Sequence, residues 1–139
     1  MKQIAAESSG MRMKRLMETQ LPQIVRIERK NDSRICLYGT GDYWTAFERS
    51  AYRLCQLFPE LDTSIVMLRD QPFPVVMASI TDEALQRYAE RHIFCRNTPD
   101  YKEIAAAEIP PMQYFQWHRQ VLQSYLPALN TLQNPGMQA

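Results

Sequence analysis

Residues 35–58 constrain the fold more tightly than any other stretch of this chain. Ile35-Cys36-Leu37-Tyr38 is an unbroken apolar run ending at Gly39, the pattern of a short strand covered on both faces. Gly39-Thr40-Gly41 turns the chain, and Asp42 is a residue type that caps helix starts. Trp44, Phe47, Ala51, Leu54, Cys55 and Phe58 then recur at helical spacing, with Arg49, Arg53 and Gln56 off that stripe, until Pro59. The spacing predicts a strand, a tight turn and a helix that opens behind Asp42.

The flanking segments supply further elements. Residues 1–10 are small and polar and read as a flexible arm; from Met11 a helix carrying Met13, Leu16 and Met17 on one side runs until Pro22 interrupts it. Residues 24–30 fit either a strand or a continued helix. Ile65–Leu68 reads as a second strand and Phe73–Ile80 as a third, antiparallel to it because the Asp70-Gln71-Pro72 connection is so short, with Pro74 favouring an edge. Thr81, Asp82 and Glu83 open a helix that buries Leu85, Tyr88 and His92. A strand is expected around Ile104. Pro110-Pro111 starts a long helix with Phe115, Leu122, Tyr125 and Leu126 on one side and Tyr114, Trp117 and Val121 on another. A chain of 139 residues with 45% hydrophobic content makes one domain, expected over residues 11–132, with 133–139 as a flexible tail. The expected fold class is α/β: a mixed β-sheet flanked by α-helices.

Several function classes lack their residues. Cys36, Cys55 and Cys95 are odd in number, widely spaced and set among apolar neighbours, as reduced and buried core thiols would be. With no C-x-x-C and only His92 and His118, no metal site is expected. Gly39-x-Gly41 between a strand and a helix invites a dinucleotide reading. Trp44, however, occupies the third glycine position, where its bulk would block a pyrophosphate, so no cofactor is expected. Pro99-Asp100-Tyr101-Lys102 resembles the end of a nuclease site but reads as a polar turn, and His118 has no evident nucleophile beside it. No membrane-length apolar run or secretory leader is present, so a cytoplasmic, non-enzymatic protein is expected.

Charge is the remaining signal. The net charge is +1, yet residues 1–34 hold eight Lys/Arg against four acids, which leaves that segment at +4 and the remainder at −3. Arg12, Lys14 and Arg15 form a basic cluster able to hold phosphates by counterion release. Tyr43 lies off the Trp44–Phe47 stripe at the expected helix start, where an aromatic could stack a base while backbone N–H groups hold a phosphate.

The run ICLYGTGDYWTAFERSA resembles the opening of the amino-terminal mismatch-recognition domain of the MutS DNA mismatch-repair family. That family follows an apolar strand with Gly-Asp-Phe-Tyr-Glu, a phenylalanine and an Asp-Ala pair. Gly41 and Asp42 match, Tyr43 stands for the wedge phenylalanine, Trp44 for the tyrosine, and Phe47 matches. Thr45 stands for the glutamate, and Ser50-Ala51 for Asp-Ala. FPVVMASITDEALQRYAERH is similar to the family's next strand and helix, with Ala84 and Tyr88 at the matching spacing, so the similarity spans roughly residues 24–95.

The resemblance implies a stand-alone recognition domain in which Tyr43 contacts a base, Thr45 sits beside it without the acid's hydrogen bond, and Gly41 and Asp42 shape the motif. The ATPase and clamp of that family have no counterpart here. Two functions are therefore expected to compete: a DNA-binding module using Tyr43, Thr45, Arg12, Lys14 and Arg15, and a protein-interaction or structural module using the aromatic carboxy-terminal helix through Tyr114 and Trp117.

Overall fold

The computed structural model describes residues 8–67 and 73–133. The amino-terminal arm before Ser8, the 70–72 turn and the carboxy-terminal tail expected from the sequence lie outside these residues. The elements run α1 (Ser9–Thr19), α2 (Leu21–Glu28), β1 (Arg34–Gly39), β2 (Tyr43–Phe47), α3 (Glu48–Leu57), β3 (Thr63–Val66) and β4 (Val75–Thr81). They continue with α4 (Asp82–Ala89), β5 (Arg96–Asn97), β6 (Tyr101–Ala105) and α5 (Pro111–Gln133). The single-domain α/β class is as expected. Its sheet has the order β3-β4-β2-β1-β6-β5, and every pairing is antiparallel rather than mixed.

Helices cover both faces of this sheet, which explains its sequence. On one face Ile35, Leu37, Trp44, Ala46, Ala78, Ile80 and Ile104 pack with Ala51 and Leu54 of α3, Leu85 of α4 and Trp117 of α5. On the other, Cys36, Tyr38, Phe47 and Val75 pack with Leu16 of α1 and Leu21, Ile24 and Val25 of α2. A strand buried on both sides has no polar alternation, as β1 shows. β2 has the same property, and this corrects the expected helix. Trp44 and Phe47 are three apart because they face opposite sides of a strand, and Thr45 is sealed with its hydroxyl 2.8 Å from that of Ser79. Of the stripe, Ala51, Leu54 and Cys55 lie on α3, with Phe58 at its C-cap.

Asp42 accordingly does not start α3. It lies in the β1–β2 hairpin, where Gly41 holds a φ of 96°, a conformation glycine takes without a Cβ penalty. The Asp42 carbonyl accepts the Asp82 N–H at 2.8 Å, tying the hairpin to the start of α4.

β2 runs straight into α3 through Glu48, which has a φ of 50°. Phe47, at the N-cap, offers no side-chain acceptor, so a carboxylate from another helix serves instead. Glu28, at the end of α2, accepts the Ser50 N–H at 2.8 Å and the Ser50 hydroxyl at 2.7 Å. Asn31 Nδ2 donates to the same carboxyl and to Ser50 Oγ, and Ser50 Oγ in turn accepts the Cys36 N–H at 2.9 Å. Arg53, off the expected stripe, is nonetheless buried and donates to the carbonyls of Asn31, Asp32 and Arg34. Together these bonds anchor the α2–β1 connection on α3.

Other boundaries follow from local chemistry. Ser8 accepts the Met11 N–H and opens α1, so helix begins inside the expected flexible arm. Pro22 interrupts α1 by opening α2, where its missing N–H costs nothing, and residues 24–28 are helical. Thr81 caps α4 as expected, by accepting the Ala84 N–H. His92 lies beyond that helix, exposed, with its ring stacked on Tyr88 at 3.8 Å. Pro74 precedes β4, an interior strand; β3 is the edge.

Candidate nucleic-acid interface

The carboxy-terminal side of the sheet is incompletely covered on the face that carries α1 and α2. The β1–β6 register sets Tyr38 opposite Tyr101 and Cys36 opposite Glu103, and β5 adds Arg96 opposite Glu103. All five side chains therefore share that face. Tyr38 and Tyr101 form a tilted ring pair with centroids 5.2 Å apart. Two concavities of about 360 and 690 Å³ meet at this pair, sharing Tyr38, Tyr101 and Gln20. Arg12 and Arg15 of α1 line the first, and Lys30, Arg34 and Arg96 line the second.

The track is basic overall. Its acids, Asp100 and Glu103, are matched by Arg12 at 3.4 Å and Arg34 at 3.6 Å, while Lys30 and Arg96 make no ion pair among the described residues. The Tyr101 hydroxyl donates to Glu103, and burial with these neighbours pushes both tyrosine hydroxyls upward, so neither titrates near neutrality. Tyr38 is buried beneath the track, so the half-buried, neutral Tyr101 is the ring of the pair open to a ligand beside the fixed positive charge.

Tyr43 lies at the hairpin end of β2, paired with Thr81, and the register puts it on the same face as Tyr38 and the basic helix. It is 44% exposed, an aromatic ring open to solvent. It stands at the start of a strand, so the backbone phosphate cradle expected from a helix start is absent. Thr45, the other residue of the expected contact pair, is fully buried and cannot reach a bound base. Arg12 and Arg15 point to the track, whereas Lys14 is exposed on α1 and does not line it. Sequence reasoning missed Tyr38 and Tyr101. Residues 101–104 carry a two-residue alternation that could have placed Tyr101 and Glu103 on one side of a strand, but Pro99 made the segment look like a turn.

The rival docking residues are committed internally. Tyr114 is 5% exposed, and Tyr114 and Trp117 meet the Tyr52 ring edge-on at 6.1 and 5.1 Å, knitting α5 to α3. The thiols also differ from expectation. All three are free and Cys36 is buried, but Cys55 is half-buried and Cys95 is exposed beside the short edge strand β5, where no layer lies beyond it. His118 Nε2 donates to the Glu48 carboxylate at 2.8 Å, a partner 70 positions away that no local motif could reveal. Among the described residues no cluster of His, Cys, Asp and Glu suits a metal ion, and no helix is long and apolar enough to cross a membrane. Comparison with family models, with characterised proteins and with solved structures finds no match to this chain.

Proposed function

We propose that this domain is a non-enzymatic nucleic-acid-binding module, with the basic track around Tyr101, together with Tyr43, as its contact surface. The observation that carries the reading is the lining of two adjoining concavities by Arg12, Arg15, Lys30, Arg34 and Arg96 on either side of the Tyr101 ring. Cations of this kind hold phosphates by releasing counterions, and aromatic faces accept bases whatever their sequence. The likeness of residues 24–95 to the MutS recognition domain supports the same class of ligand. The burial of Thr45, at the position of that family's glutamate, argues for sequence-tolerant stacking by Tyr43 rather than mismatch reading.

The test is fluorescence anisotropy with single-stranded, paired and mismatched DNA across a salt series. Affinity should fall with salt, with a log–log slope of roughly −0.7 to −0.9 for each phosphate neutralised. A Lys30→Ala, Arg96→Ala double variant should flatten that slope by about two contacts' worth. Tyr43→Ala should weaken binding by about ten- to a hundredfold at unchanged melting temperature. Absence of binding at low salt, or binding indifferent to both variants, refutes the proposal.

A further inference from the structure

A second concavity, sharing no residue with the basic track, opens between α2, the first residues of α3, the start of β4 and α5, with a volume of about 390 Å³. This is within the size range of small-molecule sites. Its apolar surface includes Val25, Val75 and Leu122, and two aromatic rings at its rim, Phe73 and Phe115, are 69% and 50% exposed. Rings this open, flanking a shaped apolar recess, offer a sandwich for a flat or branched hydrocarbon body.

The polar groups of the recess are asymmetric in charge. Glu48 is spoken for: its Oε2 accepts the Val76 N–H at 3.0 Å and lies 2.8 Å from His118 Nε2. Glu28 is committed as well: it is buried, and its two oxygens accept from Ser50 and Asn31. Two cations remain. Arg49 is held with its guanidinium 4.9 Å over the Tyr114 ring and 6.0 Å from that of Phe115, and Arg29 caps the end of α2 on the facing wall. A guanidinium fixed by stacking keeps its N–H fork available for a planar anion with little entropy left to lose. The backbone adds a further sign of a built site. Glu48, which orients this polar side, is the one non-glycine residue at positive φ among those described, and such strain concentrates where side chains are held for a purpose.

We propose that this recess binds a small organic carboxylate with an aromatic or branched aliphatic body, the body between Phe73 and Phe115 and the carboxylate on Arg49 and Arg29. The ring pair supplies the affinity and the arginines select the acid over its uncharged analogue. The site is independent of nucleic-acid binding.

The experiment titrates the full chain with naphthalene-2-carboxylate and with naphthalene-2-carboxamide, followed by amide and arginine side-chain chemical shifts. The acid should bind at least tenfold more tightly than the amide, with shifts centred on Arg49, Phe115 and His118. Phe115→Ser should weaken both ligands about tenfold, since the half-exposed ring flanks the bound body while the nearer Tyr114 ring still holds Arg49. Arg49→Gln should abolish the preference for the acid while leaving amide affinity in place. If that variant is not folded, Arg29→Gln, at an exposed helix end, should reduce the preference several-fold. Equal affinity for acid and amide, shifts centred elsewhere, or displacement of the acid by a saturating oligonucleotide would overturn the proposal.

Discussion

Replacing Glu28 with glutamine, and following stability against pH, tests the network that joins α2 to α3. Glu28 is 1% exposed, and burial raises its carboxyl from an ordinary 4.5 to about 7 despite the donors of Ser50 and Asn31. A group that binds its proton more tightly when folded stabilises the fold in its protonated form. That stability is fully present below about pH 4.5 and is lost as pH rises to about 7. The gap between those values, at about 1.4 kcal/mol per pH unit, corresponds to about 3 kcal/mol. Urea unfolding of the native chain and Glu28→Gln, measured in parallel from pH 8 to pH 4.5, isolates this contribution because other titrating groups are common to both. The native chain should gain about 3 kcal/mol relative to the variant on acidification over that range. A difference that stays flat with pH, or moves the other way, would show that the hydrogen bonds hold Glu28 ionised and that the desolvation argument is wrong.

Other expectations are more direct. Phe47→Ala removes a fully buried ring from the α2-side core and should cost about 3–5 kcal/mol, read as a fall in urea midpoint at constant slope. Gly41→Ala forces a Cβ into a φ of 96° and should destabilise by about 1–2 kcal/mol, whereas Gly10→Ala, inside α1, should be neutral or stabilising by thermal melt. Native thiol labelling should modify Cys95 quickly and Cys36 and Cys55 slowly, since Cys55 is pushed up to about 11 and Cys36 is buried and also raised. Two fast thiols would mean that the core is looser than its packing implies. Ser50→Ala, which leaves the Cys36 N–H and the Glu28 carboxyl short of a partner, should cost more than about 2 kcal/mol by the same unfolding assay.

Much of this architecture was legible because its signals are local. The strand at Ile35–Tyr38, the turn at Gly41, the cap at Thr81 and the proline start of α5 each depend on residues within a few positions of one another. Such signals survive in a sequence because backbone sterics and capping act over one turn. The single α/β domain and the free cysteines were also within reach, since they follow from length, hydrophobic content and cysteine spacing. For the candidate site, the basic helix and the open ring of Tyr43 were legible as residue types, with Tyr43's exposure settled by its place at a hairpin end.

What only the tertiary structure decided depends on coverage and on long separations. YWTAF is a strand because helices seal both of its faces, and that double burial erases the alternation by which a strand is recognised and imitates a helical stripe. The same burial removed Thr45 from any surface, and packing on Tyr52 buried Tyr114 and half-buried Trp117. Tyr101 reached Tyr38 through strand pairing across more than sixty positions, and Glu28 became the cap of α3 from 22 positions away. Local chemistry says which backbone shapes each segment can take. Which face of a segment meets water is decided by the layers laid over it, and those belong to the fold as a whole.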